Sequence, residues 1–502
     1  LDSVLLVGLL LLSLGLGFLA HQEGWHQVIL RGVMHPRETV TRWSRRAALP
    51  VLQIDLPFEE YQRLLHQREQ ARRLGLYVPR AQDVAAATVH YGGGNVAVEL
   101  LWRAGRSTAE SDGTWPLEVT VLEAPGIAGF SRLSLVPADA GYLFHWGYLA
   151  TLRQAGLPTL HSSLVRLTLN GRSQGLYGLE ELPVPTPERP ILVGFDTRAY
   201  WAARADLRTL LNTSGFQYAQ FQVWQSGEDE AVRQEILARL HAVQAGTLMP
   251  SALFDAEATG RFLAVTTLWY GAPTLDWRTL RWYYDVATDH LIPLSGGLCA
   301  AEVAPLPAFF TDDPRIQLAY VRALRRFSQP EALEELKIAF GEELETRWWI
   351  WGDLADAALP WARLEQHQRA MRAQLAPALP IVAYVADDPA GLRLELGNLQ
   401  PLPVAVVGLD LGGNAFIPLK MEWVVEADRE LLLAASETPT LRALTGAVPR
   451  LVSVRVPAEV LRSGDGEVAV LVRLVGPETP EILVPAQDAY PALPLPGAET
   501  QP

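Results

Sequence analysis

The sequence predicts an α+β protein of several domains, with a strand-rich N-terminal part, a helical middle part and a C-terminal β-sandwich. Three observations support this prediction. At 502 residues the chain is too long for one compact core. Apolar and polar residues alternate in short segments before residue 190 and after residue 380, which is the period of a β-strand. Between residues 197 and 375 apolar residues recur every three to four positions, which is the period of an α-helix.

The composition is typical of a folded protein and excludes two classes of site. Hydrophobic residues make up 49% of the chain and charged residues 20%. The formal net charge of −14, without a cluster rich in arginine and lysine, argues against a nucleic-acid partner. The single cysteine, Cys299, excludes an internal disulfide and a zinc site built from several cysteines. Lysine occurs only at Lys337 and Lys420, so arginine supplies almost all the positive charge.

The N-terminal segment predicts a membrane anchor. Residues 4–20, VLLVGLLLLSLGLGFLA, carry no charge. As a helix they would extend about 25 Å, close to the minimum for crossing a bilayer. A cleaved signal peptide is the alternative, but it needs small residues at the cleavage site, and Phe18 occupies the −3 position. We therefore expect an uncleaved signal anchor over residues 1–23, inserted in the membrane through residues 4–20, and a connector over residues 24–48.

Residues 49–190 predict the strand-rich lobe. Strands are expected at residues 50–56, 85–91, 96–102 and 117–122, and helices at residues 58–74 and 142–154. Residues 160–181, LHSSLVRLTLNGRSQGLYGLEE, read as a hairpin. Its turn falls at Asn170-Gly171, a pair that tolerates the positive φ angles of a tight turn.

Residues 191–378 predict the helical lobe and residues 379–484 the sandwich. Helices are expected at residues 229–245, 255–270, 313–327, 330–345 and 354–375, with Asp255 as an N-cap and a short hairpin at residues 279–294. The run RWWIW at residues 347–351 is interpreted as core, with a partner surface as the alternative. Prolines at residues 377 and 380 precede strands at regular spacing, and residues 485–502 are expected to be an extended tail.

Two motifs resemble the CotH kinase family of secreted or surface-associated proteins. The first is LNG-x-x-x-GLYGLEE in the hairpin, and the second is LRWYYD at residues 280–285. The resemblance covers roughly residues 49–297. It implies an atypical kinase-like body, made of a strand-rich lobe and a helical lobe. Such a kinase needs a cation for the phosphates, acidic metal ligands, a neighbouring Asn or His and a catalytic carboxylate.

The resemblance assigns weak cofactor-binding roles to Arg103 and Glu181. Arg103 lies in the segment where the family carries its basic residues, and Glu181 matches a glutamate after GLY. The alternatives are a solvated strand arginine and a solvated glutamate at a strand end. Asp276 and Asp285 are vestigial catalytic candidates, and neither is assigned a confirmed role.

Four departures from the family pattern predict loss of phosphate transfer. Pro116 and Leu117 replace the lysines, Arg278 replaces the histidine, and Thr279 replaces the asparagine. The terminal metal-binding aspartate falls at residues 295–297, Ser-Gly-Gly. Glycine has no side-chain ligand, so a metal site is not expected there.

The function that follows is a membrane-anchored, extracytoplasmic CotH-like pseudokinase that binds or assembles within a cell-envelope or surface complex. No cofactor is expected, and the partners would be envelope or surface proteins. One alternative is an active atypical kinase of secreted or surface proteins that uses Mg-ATP. A second alternative is a carbohydrate-binding envelope protein, in which exposed aromatics of the sandwich stack on a glycan.

Overall fold

The computed structural model describes most of the chain from residue 48 to residue 488. The described residues are 48–75, 77, 80–103, 114–123, 126–138, 140–186, 189, 191–195, 221–225, 230–271, 280–294, 313–351, 359–375, 380–388, 391–400, 402–410, 416–425, 451–457, 468–475, 479 and 481–488. They form a seven-stranded closed barrel, a four-stranded sheet with a helical bundle, and two further four-stranded sheets.

The first unit is the closed barrel, with the strand order β1-β2-β3-β4-β5-β7-β6. Closure comes from β1, which pairs antiparallel with β2 and parallel with β6. Leucine, isoleucine and valine side chains fill the interior, and those of Leu52, Leu100 and Leu179 are fully buried. The strands are β1 Val51–Asp55, β2 Ala85–Tyr91, β3 Gly94–Trp102, β4 Leu117–Val121, β5 Arg132–Pro137, β6 Ser162–Leu169 and β7 Arg172–Glu181.

The turn of the β6–β7 hairpin also holds the end of β1. Asn170 and Gly171 both adopt positive φ angles, as the sequence predicted for a tight turn. The Asn170 side chain accepts a hydrogen bond from the Leu56 amide (2.7 Å) and donates one to the Leu56 carbonyl (3.1 Å). These bonds fasten β1 beside β6, where the barrel closes.

Helix α1, Phe58–Leu74, packs on the barrel. Glutamates in its first turn and arginines in its last turn complement the helix dipole, and Gly75 ends it in a left-handed conformation. Leu64 is fully buried, and its carbonyl accepts a hydrogen bond from Trp102 Nε1 (2.9 Å). Trp115 stacks on Trp102 with ring centroids 4.9 Å apart.

The second unit is a sheet of order β11-β10-β8-β9 with the helical bundle on one face. Asp255 and Asp313 cap helices α4 and α5 by accepting backbone hydrogen bonds from the first turn of each helix. The strands are β8 Ile191–Phe195, β9 Phe221–Gln225, β10 Arg281–Asp285 and β11 His290–Leu294. The helices are α2 Ala140–Gln154, α3 Glu230–Gln244, α4 Ala256–Tyr270, α5 Pro314–Ser328, α6 Pro330–Leu336, α7 Glu342–Trp351 and α8 Trp361–Leu375, with a π-helical turn, Lys337–Gly341, between α6 and α7.

The third unit consists of two four-stranded sheets, β16-β13-β12-β19 and β15-β14-β17-β18. Residues of both sheets share one hydrophobic cluster, which is continuous with the core of the helical bundle. The sheets therefore pack face to face as a sandwich. The strands are β12 Ile381–Asp388, β13 Gly391–Asn398, β14 Val404–Asp410, β15 Phe416–Val425, β16 Leu451–Pro457, β17 Ala469–Leu474, β18 Ile482–Pro485 and β19 Gln487–Asp488.

The predicted fold class is wrong, although the protein is α+β. The N-terminal lobe is a closed barrel, because the parallel pairing of β1 with β6 joins the two ends of what was expected to be a kinase-like lobe. In the part of the chain that the structure describes, no helix has the length and apolar character needed to cross a bilayer. The anchor predicted at residues 4–20 and the connector at residues 24–47 lie outside the described residues.

Two local predictions also need correction. The strand β5 was missed, and it is required to complete the barrel between β4 and β7. The predicted extended tail begins too early, because residues 487–488 form β19, which pairs parallel with β12.

Replacing Gly260 tests the helix packing. A Cβ atom at Gly260 of α4 would lie 2.5 Å from the backbone carbon of Ala319 in α5, so Gly260→Ala forces two helices apart. We expect a loss of about 1–3 kcal/mol in the free energy of unfolding, measured by urea denaturation. Gly341→Ala is the control, because its Cβ would meet nothing closer than 3.7 Å. Equal effects of the two substitutions would contradict the packing.

Candidate functional site

Helix α2 is buried between the barrel and the helical bundle. Along one stretch, Tyr142–Leu152, its side chains are almost all inaccessible, including those of His145 and Thr151. Gly147 allows the close approach of α4, since a Cβ there would lie 2.3 Å from the Trp269 ring. Thr151 accepts a hydrogen bond from Trp269 Nε1 (2.8 Å). A helix in this position must satisfy its polar side chains inside the protein.

The outer face of the barrel provides the surface on which α2 packs. Leu179 points into the barrel, so Gly178 and Glu180 on either side of it point outward. The Tyr142 ring lies directly over Gly178, only 2.0 Å from where a Cβ would be. The Tyr142 hydroxyl shares a 2.5 Å hydrogen bond with Ser162 Oγ and donates to the carbonyl of Ser163 (3.2 Å).

Glu180 lies in the middle of this contact. In the sheet it is directly opposite Ser134 of β5 on one side and Ser162 of β6 on the other, so the three side chains share the outer face. Its side chain is 3% exposed. We call the group formed by Arg103, Ser134, Tyr142, His145, Ser162 and Glu180 the joint, because it lies where the barrel meets α2.

Arg103, at the end of β3, sets the charge balance of the joint. Burial raises the pKa of Glu180, and the positive charge of Arg103 opposes that rise. Burial and, as the smaller cause, the positive charge of Arg103 together lower the pKa of His145 to about 3. His145 is therefore neutral near pH 7. Glu180 favours its neutral form more than an exposed glutamate would.

Three buried polar atoms of the joint lack a hydrogen-bond partner among the residues that the structure describes. They are Glu180 Oε1, His145 Nε2 and Ser134 Oγ. The other ring nitrogen of His145 is 3.5 Å from the Tyr270 hydroxyl, which is a long hydrogen bond. Because unpaired buried polar atoms are costly, a change of charge in the joint has large consequences for stability.

The second candidate cofactor residue, Glu181, lies outside the joint, next to His161. Its Oε2 accepts hydrogen bonds from the backbone amide (3.2 Å) and from Nδ1 (3.1 Å) of His161. Its negative charge also contributes, after burial, to a raised pKa of Tyr283 in β10. Arg189 stacks over the Tyr283 ring at 4.8 Å. Glu181 therefore belongs to a contact between the barrel and the β8–β11 sheet.

Asp285 fixes the turn between β10 and β11. Its two carboxylate oxygens accept hydrogen bonds from the Ala287 amide (3.0 Å) and the Thr288 hydroxyl (2.8 Å). This is the usual structural role of an aspartate at the start of a turn. The other vestigial candidate, Asp276, lies outside the described residues, as do Arg278, Thr279 and residues 295–297.

The described part of the chain shows no group of three or more His, Cys, Asp or Glu side chains arranged to hold a metal ion. Arg103, Glu181 and Asp285 each have a different set of partners. What the joint can do chemically is bind and release protons at Glu180 and His145.

Sequence reasoning assigned Glu181 and passed over Glu180 and His145. The sequence feature that could have identified Glu180 is the pair Glu180-Glu181 in an alternating strand. Two neighbouring residues of a strand face opposite sides of the sheet. One of the two glutamates had to be buried or to lie against another element. His145 has a buried ring with one nitrogen that lacks a partner among the described residues.

No protein-family model matches the chain, and a search of curated proteins finds no match. The resemblance to the CotH kinase family therefore stays a prediction from the motifs in the hairpin and at residues 280–285.

Proposed function

We propose that this protein binds partners or assembles a complex, and that it does not transfer phosphate. The observation that carries the proposal is the separation of the described candidate residues. The charge of Arg103 acts on Glu180 and His145, Glu181 accepts hydrogen bonds from His161, and Asp285 fixes a turn. Phosphoryl transfer needs cations and metal ligands that converge on one group of oxygens. The resemblance adds the proposal of a CotH-like pseudokinase in an extracytoplasmic complex of the cell envelope or surface.

An apolar row on the outside of the sandwich supports a binding role. It consists of Pro418, Gly408, Leu471 and Leu483, which lie side by side across β15, β14, β17 and β18. Leu483 is 50% exposed. An antiparallel sheet with one solvated face normally carries polar residues there.

The opposite outer face of the same sandwich follows the normal pattern. Glu395 of β13 lies between Tyr384 of β12 and Ser453 of β16, and forms an ion pair with Arg393 (3.4 Å). The exposed apolar side chains of the row support the proposal that it contacts an apolar surface of a protein partner.

Loss of phosphate transfer is tested with magnesium and ATP. We expect no magnesium-dependent rise in the melting temperature at saturating ATP and no transfer of labelled phosphate to the protein or to a generic acceptor. A bound ligand at one hundred times its Kd would stabilise the protein by about 2.7 kcal/mol, which such an assay detects. An active kinase in the same buffer is the positive control. Magnesium-dependent transfer that disappears in Asp276→Ala would establish the active-kinase alternative.

The apolar row is tested separately by charge substitution. Leu483→Glu and Pro418→Glu replace exposed side chains, so we expect stability to change by no more than about 0.5 kcal/mol. Cross-linking in native membranes, followed by mass spectrometry, should recover a partner with the unmodified protein that both variants lose. Ser453→Glu, on the polar face, is the matched control and should keep that partner. Recovery of the same partners by all variants would contradict the assignment of the row.

A further inference from the structure

The joint brings together two buried groups that change charge in opposite directions. Glu180 of β7 becomes negative when it loses a proton, and His145 of α2 becomes positive when it gains one. Both side chains are at least 97% buried, because their exposed fractions are 3% and 1%. A new charge on either one would be created without water around it, at the contact between the barrel and α2.

The surroundings of the two groups determine which charges are tolerated. Arg103, which directly follows β3, acts on both groups, so it favours a negative Glu180 and disfavours a positive His145. Neutral hydroxyls also face the joint, from Ser134 of β5, Tyr142 of α2, Ser162 of β6 and Tyr270 of α4. Two further charged residues of the described chain lie near it: Arg347 of α7, which acts on Tyr142, and Glu118 of β4, which is directly opposite Ser134 on the outer face of the barrel.

We propose that the joint is a pH-dependent contact, which holds α2 on the barrel while Glu180 and His145 are both neutral and loosens when either becomes charged. At high pH Glu180 releases its proton to solvent, and at low pH His145 takes one up. In both cases hydration of the new charge favours separation of α2 from β7. Nothing in this inference depends on whether the protein binds nucleotide.

The signs of the two effects follow from proton linkage. The pKa of Glu180 in the folded protein is above its ordinary value of 4.5, so the folded state binds the extra proton. Its contribution to stability is complete below pH 4.5 and is lost as the pH rises through the raised pKa. The pKa of His145 is about 3 in the folded protein, below its ordinary value of 6.5. Its contribution is complete above pH 6.5 and is lost as the pH falls towards 3.

The two groups therefore produce a window of greatest stability. Between pH 4.5 and the raised pKa of Glu180, deprotonation of Glu180 lowers stability as the pH rises. Between pH 6.5 and about pH 3, protonation of His145 lowers stability as the pH falls, so the two effects oppose each other where these ranges overlap. Each effect amounts to a tenfold change in the unfolding equilibrium constant per pH unit, or about 1.4 kcal/mol.

The test compares urea unfolding across pH for the full chain and two variants. Glu180→Gln removes the loss at high pH, so its stability relative to the unmodified protein should rise about tenfold per pH unit from pH 4.5 up to the raised pKa of Glu180 and then level off. His145→Gln removes the loss at low pH, so its relative stability should rise about tenfold per unit as the pH falls below 6.5. Stability curves that stay parallel across pH for all three proteins would overturn the proposal.

The chain offers matched controls beside both residues. Glu181→Gln changes the neighbouring glutamate, which faces the other way and pairs with His161. His161→Gln changes an exposed histidine, whose side chain is 74% accessible. Neither control should reproduce the tenfold slopes. If both did, the pH dependence would come from general charge effects rather than from the joint, and the proposal would fail.

Hydrogen exchange shows where in the protein the pH-dependent loosening occurs, and infrared spectroscopy tests the proposal if a variant does not fold. Hydrogen exchange should show α2 and β7 amides losing protection at alkaline pH before the β12–β19 strands, and Glu180→Gln should abolish that difference. Simultaneous loss of protection in all these elements would contradict a local contact. If Glu180→Gln does not fold, the infrared spectrum of the unmodified protein decides. A band from a protonated carboxyl group that persists above pH 4.5 supports the proposal, and a band that disappears at or below pH 4.5 overturns it.

Discussion

Helix α2 is almost wholly buried from Tyr142 to Leu152, and this constraint determines how the barrel and the helical bundle fit together. Tyr142 packs on the barrel over Gly178, and Gly147 admits Trp269 of α4 from the bundle. Glycine is required at both points because the rings occupy the positions of the missing Cβ atoms. The polar side chains of α2 must then be accommodated inside the protein, and the charge of Arg103 acts on buried His145 of α2 as it does on Glu180 of the barrel.

This arrangement explains why the predicted phosphate-binding arginine serves a different purpose. Arg103 is half-buried at the end of β3, and its charge compensates a carboxyl group that would otherwise be isolated from water. Once Glu180 is ionised, an isolated buried carboxylate would cost more than one that faces the charge of Arg103. Selection for a stable joint can therefore keep an arginine at this position without any nucleotide.

Local signals in the sequence predicted the elements that depend on neighbouring residues. The turn at Asn170-Gly171, the helix over α2 and the N-cap at Asp255 all depend on a few adjacent side chains, and the structure confirms them. Barrel closure could not be predicted in this way, since it depends on β1 pairing with β6, far along the chain. The prediction that the RWWIW run belongs to the core holds for only part of it. Trp351 is buried and donates a hydrogen bond to the Ala138 carbonyl, whereas Trp349 is 42% exposed.

The central claim is that the charge of Arg103 acts on Glu180, and a double-mutant cycle tests it directly. Arg103→Met, Glu180→Gln and the double variant are unfolded in urea at mildly acidic and at mildly alkaline pH. We expect the interaction energy to grow with pH as Glu180 ionises, to at least about 1 kcal/mol. The exposed pair of Arg132 and Glu118, 3.9 Å apart, should give a value near zero in the same cycle. Additive effects of Arg103 and Glu180 at both pH values would contradict the account.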